Sequence, residues 1–377
     1  MDWDSLRATE FPVARRWAYF DHAAVAPPSR RAGDAMRAWT DGMERDGVAY
    51  LNTWGSKLDA ARARVARLLN AEVGEVAFIN STTQGIGLIA EGFPWRDGDN
   101  VVTAAEEYPS NLYPWMNLAS RGVGLRMVPG REGRIWIDDL AAAMDARTRL
   151  LTISHVEFAT GFRNDLDALA ELCRGRGVAL FVDAIQGLGP LTLDVRRTPV
   201  DFLAADGHKW LLGPQGAGLL FVRRDWIERL RPLGVGANSV VGSYNALEPD
   251  FTLKADARRW EGGTYNATGL LGLDASLALF EEVGFPAASA RILDRAEAVR
   301  ELAAAAGWAV HGSARPADRS GIVCLERPGV DPDAVAARMR ERGVILSSRR
   351  GRLRVSPHLY TDADDLERLA EGLREAC

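Results

Sequence analysis

The chain has 377 residues, of which 47% are hydrophobic and 26% charged, as in an ordinary soluble globular protein. That length exceeds what one simple core usually holds, so we expect two domains. The formal net charge of −5 does not favour a nucleic acid or an anionic membrane as a partner.

The cysteines and the N-terminal residues exclude other classes. Cys173, Cys324 and Cys377 are widely separated and never form a C-x-x-C pair, so neither a disulfide framework nor a metal site is indicated. The first residues are acidic rather than apolar, and no apolar run reaches the roughly eighteen residues of a membrane span. We therefore expect a cytoplasmic protein.

Short apolar runs alternate with helix-period stretches as far as residue 222. The predicted strands are 75–79, 100–104, 125–128, 149–154, 178–182, 202–205 and 218–222. The predicted helices between several of them are 83–91, 111–120, 137–144 and 166–174. This alternation predicts an α/β fold with a mainly parallel seven-stranded sheet covered on both faces. Such sheets bind ligands at the carboxyl ends of their strands.

The pattern changes after Gly284. A long helix is predicted at 286–306, with strands near 309, 322–325 and 353–355 and helices at 332–342 and 362–375. We predict a large domain of residues 19–283. Residues 284–377, together with residues 1–18, are predicted to form a smaller α+β domain.

Hydroxyl residues and glycine stand where the strand at 75–79 meets the next helix, in Asn80-Ser-Thr-Thr-Gln-Gly85. Backbone N–H groups at the start of a helix bind phosphate, because they lack helical partners and lie at the positive end of the helix dipole. The same residues also serve as an ordinary helix cap. The segment therefore predicts either a phosphate site or a cap.

An aspartate, Asp183, ends the apolar strand at 178–182. A buried aspartate needs a positive partner, and the protonated ring nitrogen of pyridoxal 5′-phosphate (PLP) is one such group. A strand-end aspartate can instead cap the following turn.

Lysine occurs at only three positions, so 43 of the 46 basic residues are arginine. Lys57 lies in a polar helix and Lys254 in a charged loop, as is typical of surface lysines. Lys209 instead lies between an apolar strand and a glycine-rich turn. Burial lowers the pKa of a lysine and yields the nucleophilic amine that Schiff-base chemistry requires.

In their order along the chain, these motifs resemble the class V aminotransferase superfamily of fold-type I PLP enzymes, including its cysteine desulfurase and isopenicillin N epimerase-like branches. The resemblance extends from Tyr19 to Tyr360 and implies PLP as the cofactor. It implies that Lys209 forms the Schiff base and, once freed, takes the substrate α-proton, with Asp183 and His208 as further catalytic residues. The implied cofactor contacts are Thr82, Thr83 and His208 at the phosphate, Tyr108 stacked on the ring, Asp183 at the ring nitrogen, Gln186 at the ring oxygen, and Thr264 reaching the phosphate of a partner subunit.

On the substrate side, the resemblance implies that Arg354 binds the α-carboxylate as a bidentate fork. Phe158 stands where desulfurases carry an asparagine, and the run Phe158-Ala-Thr-Gly-Phe-Arg163 is more similar to the epimerase-like branch. His22 lies on an N-terminal loop expected to cover the site. It is predicted either to contact substrate or act as an acid or base, or to be structural.

Two departures from the family pattern limit the prediction. Desulfurases carry an acceptor cysteine just before the arginine, and residues 343–353 contain none. Asp206 replaces a serine, and because a carboxylate would repel the cofactor phosphate, we expect it to pair with another group.

We therefore expect a homodimer with a shared active site, acting on an L-amino acid or an amino-acid conjugate. The favoured reactions are C–S/β-elimination without a persulfide cysteine, or amino transfer. An amino-acid epimerase and a non-catalytic PLP-fold binding protein are the alternatives. A nicotinamide enzyme is not expected, because no strand is followed by G-x-G-x-x-G.

Overall fold

The computed structural model describes residues 1–51, 55–242 and 247–375. Within these ranges the strands are β1 (Ala18–Tyr19), β2 (Val76–Ile79), β3 (Asn100–Ala104), β4 (Gly124–Val128), β5 (Thr148–Ser154), β6 (Ala179–Asp183), β7 (Phe202–Asp206), β8 (Gly218–Val222), β9 (Ala309–Val310), β10 (Val323–Glu326), β11 (Val344–Ile345), β12 (Ser347–Arg349) and β13 (Arg352–Val355). The α-helices are α1 (Trp3–Glu10), α2 (Arg30–Asp46), α3 (Val48–Leu51), α4 (Gly55–Leu69), α5 (Thr82–Gly92), α6 (Tyr113–Met116), α7 (Ile137–Ala143), α8 (Leu166–Arg176), α9 (Ala267–Val283), α10 (Phe285–Ala305), α11 (Pro332–Glu341) and α12 (Ala363–Glu375). In these described segments, no helix combines the length and the apolar character that crossing a membrane requires.

A seven-stranded sheet lies at the centre, in the order β2-β8-β7-β6-β5-β3-β4. Strand β8 runs antiparallel to both of its neighbours, whereas the other adjacent pairs are parallel. The expected mainly parallel sheet of an α/β fold is thereby confirmed.

Both faces of this sheet are covered, as the continuous apolar strands predict. In β6, Leu180 and Val182 point to a core shared with α4, α7, α8 and α9. Ala179 and Phe181 point to the opposite core, which includes α5 and α6. Because water is excluded from both faces, polar groups of the strands collect at the strand ends.

The C-terminal residues form a second sheet of four antiparallel strands, in the order β12-β13-β10-β9. The N-terminal residues join this part. Strand β1 pairs with β11, and Phe20 is buried in the hydrophobic core beneath the second sheet. Arg7 also binds Asp365 at 2.7 Å. These contacts agree with the expected association of residues 1–18 with the C-terminal part, and the domain boundaries stay a prediction.

One predicted helix is wrong. Residues 111–120 do not form a single helix, since a 3-10 turn at Pro109–Asn111, the short helix α6 and a second 3-10 segment at Asn117–Arg121 replace it. The physical reason is Pro114, which has no N–H to donate and is tolerated only in the first turn of a helix. The chain therefore begins a new helix there instead of continuing one.

Helix α5 packs against the sheet at Gly85, which has no side chain to hold the two apart. A Cβ at this position would lie 2.8 Å from both Ala204 Cβ and Ile79 Cδ1. In the same helix, a Cβ at Gly87 would meet nothing within 4 Å. Gly85 thus fixes how the start of α5 faces the ends of β2 and β7.

We expect Gly85→Val to lower the free energy of unfolding by about 1–3 kcal/mol, because the added carbons overpack the contact between α5 and the sheet. The matched control Gly87→Ala should gain up to about 1 kcal/mol through helix propensity. Urea unfolding followed by circular dichroism measures both. Wild-type stability in Gly85→Val would contradict the packing described here.

Candidate active site

A cavity of about 430 Å³ opens at the carboxyl ends of β5, β6 and β7, between the two parts of the protein. It brings together nine of the predicted residues: Thr82, Thr83, Tyr108, Phe158, Asp183, Gln186, His208, Lys209 and Arg354. A larger cavity of about 680 Å³ contains none of the predicted site residues. The smaller cavity is therefore the better candidate for the active site, since it holds convergent groups with perturbed pKa values.

Asp183 is buried at this cavity, and Lys209 beside it is half-buried. Burial lowers the pKa of the Lys209 ammonium to about 8, although the negative charge of Asp183 opposes the shift. Burial also raises the pKa of Asp183 to about 6, against a hydrogen bond from the Ile185 N–H and the charge of Lys209. The lysine can therefore supply a neutral amine near neutral pH, which a solvated lysine cannot.

The start of α5 forms one end of the cavity. Ser81 caps the helix, its hydroxyl oxygen accepting from the Gln84 N–H at 3.1 Å, so the segment does include the cap that the sequence allowed. The Thr82 hydroxyl oxygen accepts from the Asp206 N–H at 2.9 Å, and Thr83 donates to Ser110 Oγ at 2.7 Å. The Thr82 hydroxyl proton remains available to a phosphate beside the first-turn N–H groups.

His208 lies beside this end, and its Nδ1 is 3.0 Å from Asp206 Oδ2, within ion-pair distance. His208 is therefore an ion-pair partner of Asp206 when its imidazole is protonated. Asp206 Oδ1 is buried and has no hydrogen-bond partner among the described residues.

Tyr108 and Gln186 line the cavity on other sides. The Lys209 Nζ lies 5.7 Å from the centre of the Tyr108 ring. Tyr108 is 47% exposed, and its ring presents a flat face to the cavity. The Gln186 Nε2 donates to the Ala23 carbonyl, and its Oε1 accepts from the Trp210 indole at 2.7 Å. Because an amide nitrogen carries two protons, Gln186 still has one donor for a ligand oxygen.

Arg354 and Phe158 form the side expected to face substrate. Arg354 is 2% exposed and donates to the Phe158 carbonyl at 3.2 Å and to Asp21 at 3.4 Å. Its Nε is buried without a partner in the described structure. The Phe158 ring packs edge-on against Tyr108, with centroids 5.2 Å apart. A buried guanidinium with spare donors beside two aromatic rings suits a carboxylate held in a dry pocket.

Two of the predicted site residues do not line the cavity. His22 is fully buried, and its Nδ1 and Nε2 make hydrogen bonds of 2.7 Å to the Ser356 carbonyl and the Tyr360 hydroxyl. Both nitrogens are thus occupied outside the cavity, which favours the structural alternative over substrate contact. Thr264 is exposed and does not line the cavity of its own chain.

The sequence reasoning missed a buried acidic group behind Asp183. Glu107 accepts from the Ser154 N–H and from the Ser154 hydroxyl, both at 2.5 Å, and burial raises its pKa to about 7. Glu157 accepts from Asn164 at 2.8 Å, and burial followed by the charge of Glu107 raises its pKa. One available signal was that Glu107 follows β3, whose carboxyl end lies at the same sheet edge as that of β6.

The cavity fits PLP on its own chemistry. Asp183 is 2% exposed and accepts a hydrogen bond from Ile185 at 3.1 Å, so a protonated ring nitrogen would offset much of the cost of burying its charge. The Thr82–Thr83 turn provides donors for a phosphate, and Lys209 provides the amine. Together with the sheet, these groups define the site of a PLP-dependent enzyme.

The comparisons with known proteins agree with this class. The family model of aminotransferase class-V matches residues 18–369, and the chain belongs to that family. The predictions of a PLP-dependent enzyme of this superfamily and of PLP as its cofactor are therefore confirmed.

Individual relatives cover most of the chain. A probable cysteine desulfurase of Methanothermobacter thermautotrophicus is 29% identical, with 97% of this chain and 96% of that protein aligned. A cysteine desulfurase of Salmonella newport is 32% identical over 74% of this chain and 72% of that protein.

Solved structures share the fold at lower identity. A mutant of C-DES with glycine covalently linked to its PLP cofactor has a TM-score of 0.92 at 23% identity, covering 98% of this chain and 99% of that one. The apo cysteine desulfurase of Thermococcus onnurineus NA1 has a TM-score of 0.89 at 24% identity, covering 98% and 97%.

We expect the reactivity of Lys209 in the apo-protein to rise through pH 8, because only the neutral amine is nucleophilic. Below that pH the reactivity should fall about tenfold per pH unit. Labelling with fluorodinitrobenzene, which does not titrate, followed by peptide mass spectrometry measures it at each pH.

Two variants should shift the pH at which Lys209 is half-reactive, and they should shift it in opposite directions. Asp183→Asn removes a charge that holds the pKa of Lys209 up, and Arg354→Gln removes one that holds it down. A wild-type midpoint near the ordinary value of 10.5 would contradict the burial of this amine.

Proposed function

We propose that this enzyme is a C–S lyase that cleaves a cysteine-type amino acid by β-elimination, without passing sulfur to a cysteine of its own. The observation that carries the proposal is the position of the described cysteines. Cys173 and Cys324 are both buried, and neither lines the cavity. Burial raises the pKa of the Cys173 thiol to about 12 and that of Cys324 to about 11, so neither provides a thiolate acceptor. Cys377 lies outside the described residues.

The residues divide the work between binding and proton transfer. Arg354 binds the α-carboxylate, and Phe158 and Tyr108 exclude water from the same side. Bound PLP supplies an electron sink for the charge left on the α-carbon. Lys209 Nζ takes the α-proton, and Asp183 keeps the ring nitrogen protonated. The Cβ–S bond then breaks with its electron pair on sulfur, and hydrolysis leaves pyruvate and ammonia. The names of the desulfurase relatives support removal of sulfur from a cysteine-type substrate.

We expect Lys209→Ala to lower kcat about 10²- to 10⁴-fold, the usual contribution of a positioned acid or base. Lys57→Ala is the matched control, because Lys57 is exposed in α4, and it should keep wild-type activity. Assays with L-cysteine and S-substituted cysteines follow sulfide or thiol, pyruvate, ammonia and the enantiomer of the remaining substrate.

The products separate the alternatives. Pyruvate with ammonia supports elimination, whereas a keto acid formed without ammonia identifies an aminotransferase. Racemised substrate identifies an epimerase. A protein that binds PLP and turns over no amino acid in the panel would be a binding protein, and the proposal would fail.

A separate experiment tests whether sulfur passes to a cysteine of the enzyme. Cys377→Ser holoenzyme should retain activity, and its intact mass during turnover should gain no sulfur atom, because the two remaining cysteines are buried. A persulfide found on Cys173 or Cys324, or loss of activity in Cys377→Ser, would contradict the proposed route.

We further propose a homodimer in which Thr264 completes the phosphate site of the partner subunit. Its support is the exposure of Thr264 away from its own cavity, together with the family resemblance. Mixed Lys209→Ala and Thr264→Ala chains should recover on the order of one quarter of wild-type activity, because a mixed dimer contains one intact site. Mixtures no more active than either parent, or a monomer by sedimentation, would overturn the dimer.

A further inference from the structure

Asp206 and His208 lie together at the end of the cavity where α5 begins. Asp206 ends β7, and its N–H donates to the Thr82 hydroxyl oxygen at 2.9 Å. The His208 carbonyl accepts from the Ala26 N–H at 2.8 Å, so other elements hold the backbone at both residues. With the backbone held, His208 Nδ1 lies 3.0 Å from Asp206 Oδ2. The pair is therefore a fixed feature beside the start of α5.

Asp206 depends on a nearby cation, because its side chain is 5% exposed and water cannot stabilise the charge. Lys209 is not its main partner. The charge of Asp183 affects the pKa of Lys209 more strongly than that of Asp206 does. The imidazole of His208 is the closer group with which Asp206 can form an ion pair.

The arginines of the cavity are engaged on the substrate side. Arg354 and Arg349 both line the cavity, and the charges of both stabilise the ionised form of Asp21. Among the described residues, neither arginine forms an ion pair with Asp206. The charge of Asp206 is thus left to His208.

The protonation of His208 decides what this pair offers to a ligand. A neutral imidazole that gives its single proton to Asp206 has a lone pair at Nε2, which repels the oxygens of a phosphate. A protonated imidazole carries a proton on both nitrogens, so Nε2 becomes a charged donor. The His208 side chain is 18% exposed and lines the cavity, so a ligand can reach it. A carboxylate beside Nδ1 favours the protonated form.

We propose that Asp206 is a positioning residue that holds His208 as an imidazolium, so that His208 gives the cofactor phosphate a charged N–H donor. Alone, the carboxylate would repel phosphate, but paired with an imidazolium it adds no net charge. The hydroxyl donor of the serine that Asp206 replaces is thus exchanged for a charged donor two residues later. The first-turn N–H groups of α5 bind the same phosphate. This inference concerns the cofactor site and does not depend on the proposed lyase reaction.

The test isolates the phosphate with two cofactor analogues that cannot form a Schiff base with Lys209. Calorimetry of the apo-protein gives the dissociation constants of pyridoxamine 5′-phosphate and of pyridoxamine, and their ratio is the phosphate preference. Asp206→Asn and His208→Gln should each lower this preference about 10-fold or more, as expected on loss of a charge-assisted hydrogen bond. Asp21→Asn is the matched control, because it removes a carboxylate that does not line the cavity, and it should leave the preference unchanged.

A double variant separates positioning from simple repulsion. In a His208→Gln background only the repulsion between Asp206 and the phosphate remains. Asp206→Asn should therefore raise the phosphate preference in that background, although it lowers the preference in the wild-type chain. Nitrogen-15 NMR of histidine-labelled protein with pyridoxamine 5′-phosphate at pH 7 should show protons on both ring nitrogens of His208. Loss of these signals in His208→Gln assigns them.

Three results would overturn the inference. A higher phosphate preference in Asp206→Asn alone would show that the carboxylate only repels the phosphate. An unchanged preference in His208→Gln would place His208 away from the phosphate. Equal effects of Asp206→Asn with and without His208, or a neutral His208 ring in the complex, would show that Asp206 does not hold the imidazolium. Because a general loss of structure weakens the binding of both analogues, their ratio distinguishes it from loss of the phosphate contact.

Discussion

Burial of two opposite charges in one cavity is the constraint on which this site depends. Removal of water disfavours the charge on Lys209 and on Asp183, so their pKa values approach each other, to about 8 and about 6. Their mutual attraction limits both shifts. The amine can therefore lose its proton near neutral pH while the carboxylate still carries charge. Sheet strands covered on both faces create this environment, because they leave polar side chains only at their ends.

Much of the fold was predictable because strands buried on both faces are continuous apolar runs, and these are easy to recognise. Lys209 was identifiable for a similar reason, since only three lysines exist and the other two lie in polar surroundings. The helix predicted at 111–120 was wrong because hydrophobic periodicity does not register the missing N–H of Pro114. Local pattern therefore located the sheet and indicated the turn at Thr82–Thr83, Asp183 and Lys209, which line one cavity. It failed where one backbone hydrogen bond decides the geometry.

The remaining site residues depend on contacts between distant parts of the chain. Arg349 lies in an arginine-rich stretch that is typical of a solvated surface, and only the pairing of β12 with β13 brings it beside Arg354. His22 lies on a loop expected to cover the site, yet Ser356 and Tyr360 satisfy both of its nitrogens. No local pattern in the sequence reports such tertiary hydrogen bonds, so neither position could be assigned from sequence alone.

The buried acids behind the cavity explain why Asp183, rather than a neighbour, carries the negative charge. Burial raises the pKa of Asp183, Glu107 and Glu157 alike, and each ionised carboxyl raises the pKa of the next. Lys209 is the cation that lowers the pKa of Asp183, whereas Glu107 is stabilised in its charged form only by neutral donors such as Ser154. The charge of Lys209 therefore favours the ionised form of Asp183. Asp183 remains ionised at the position proposed to face the ring nitrogen, and it lies at the end of a strand of the large sheet.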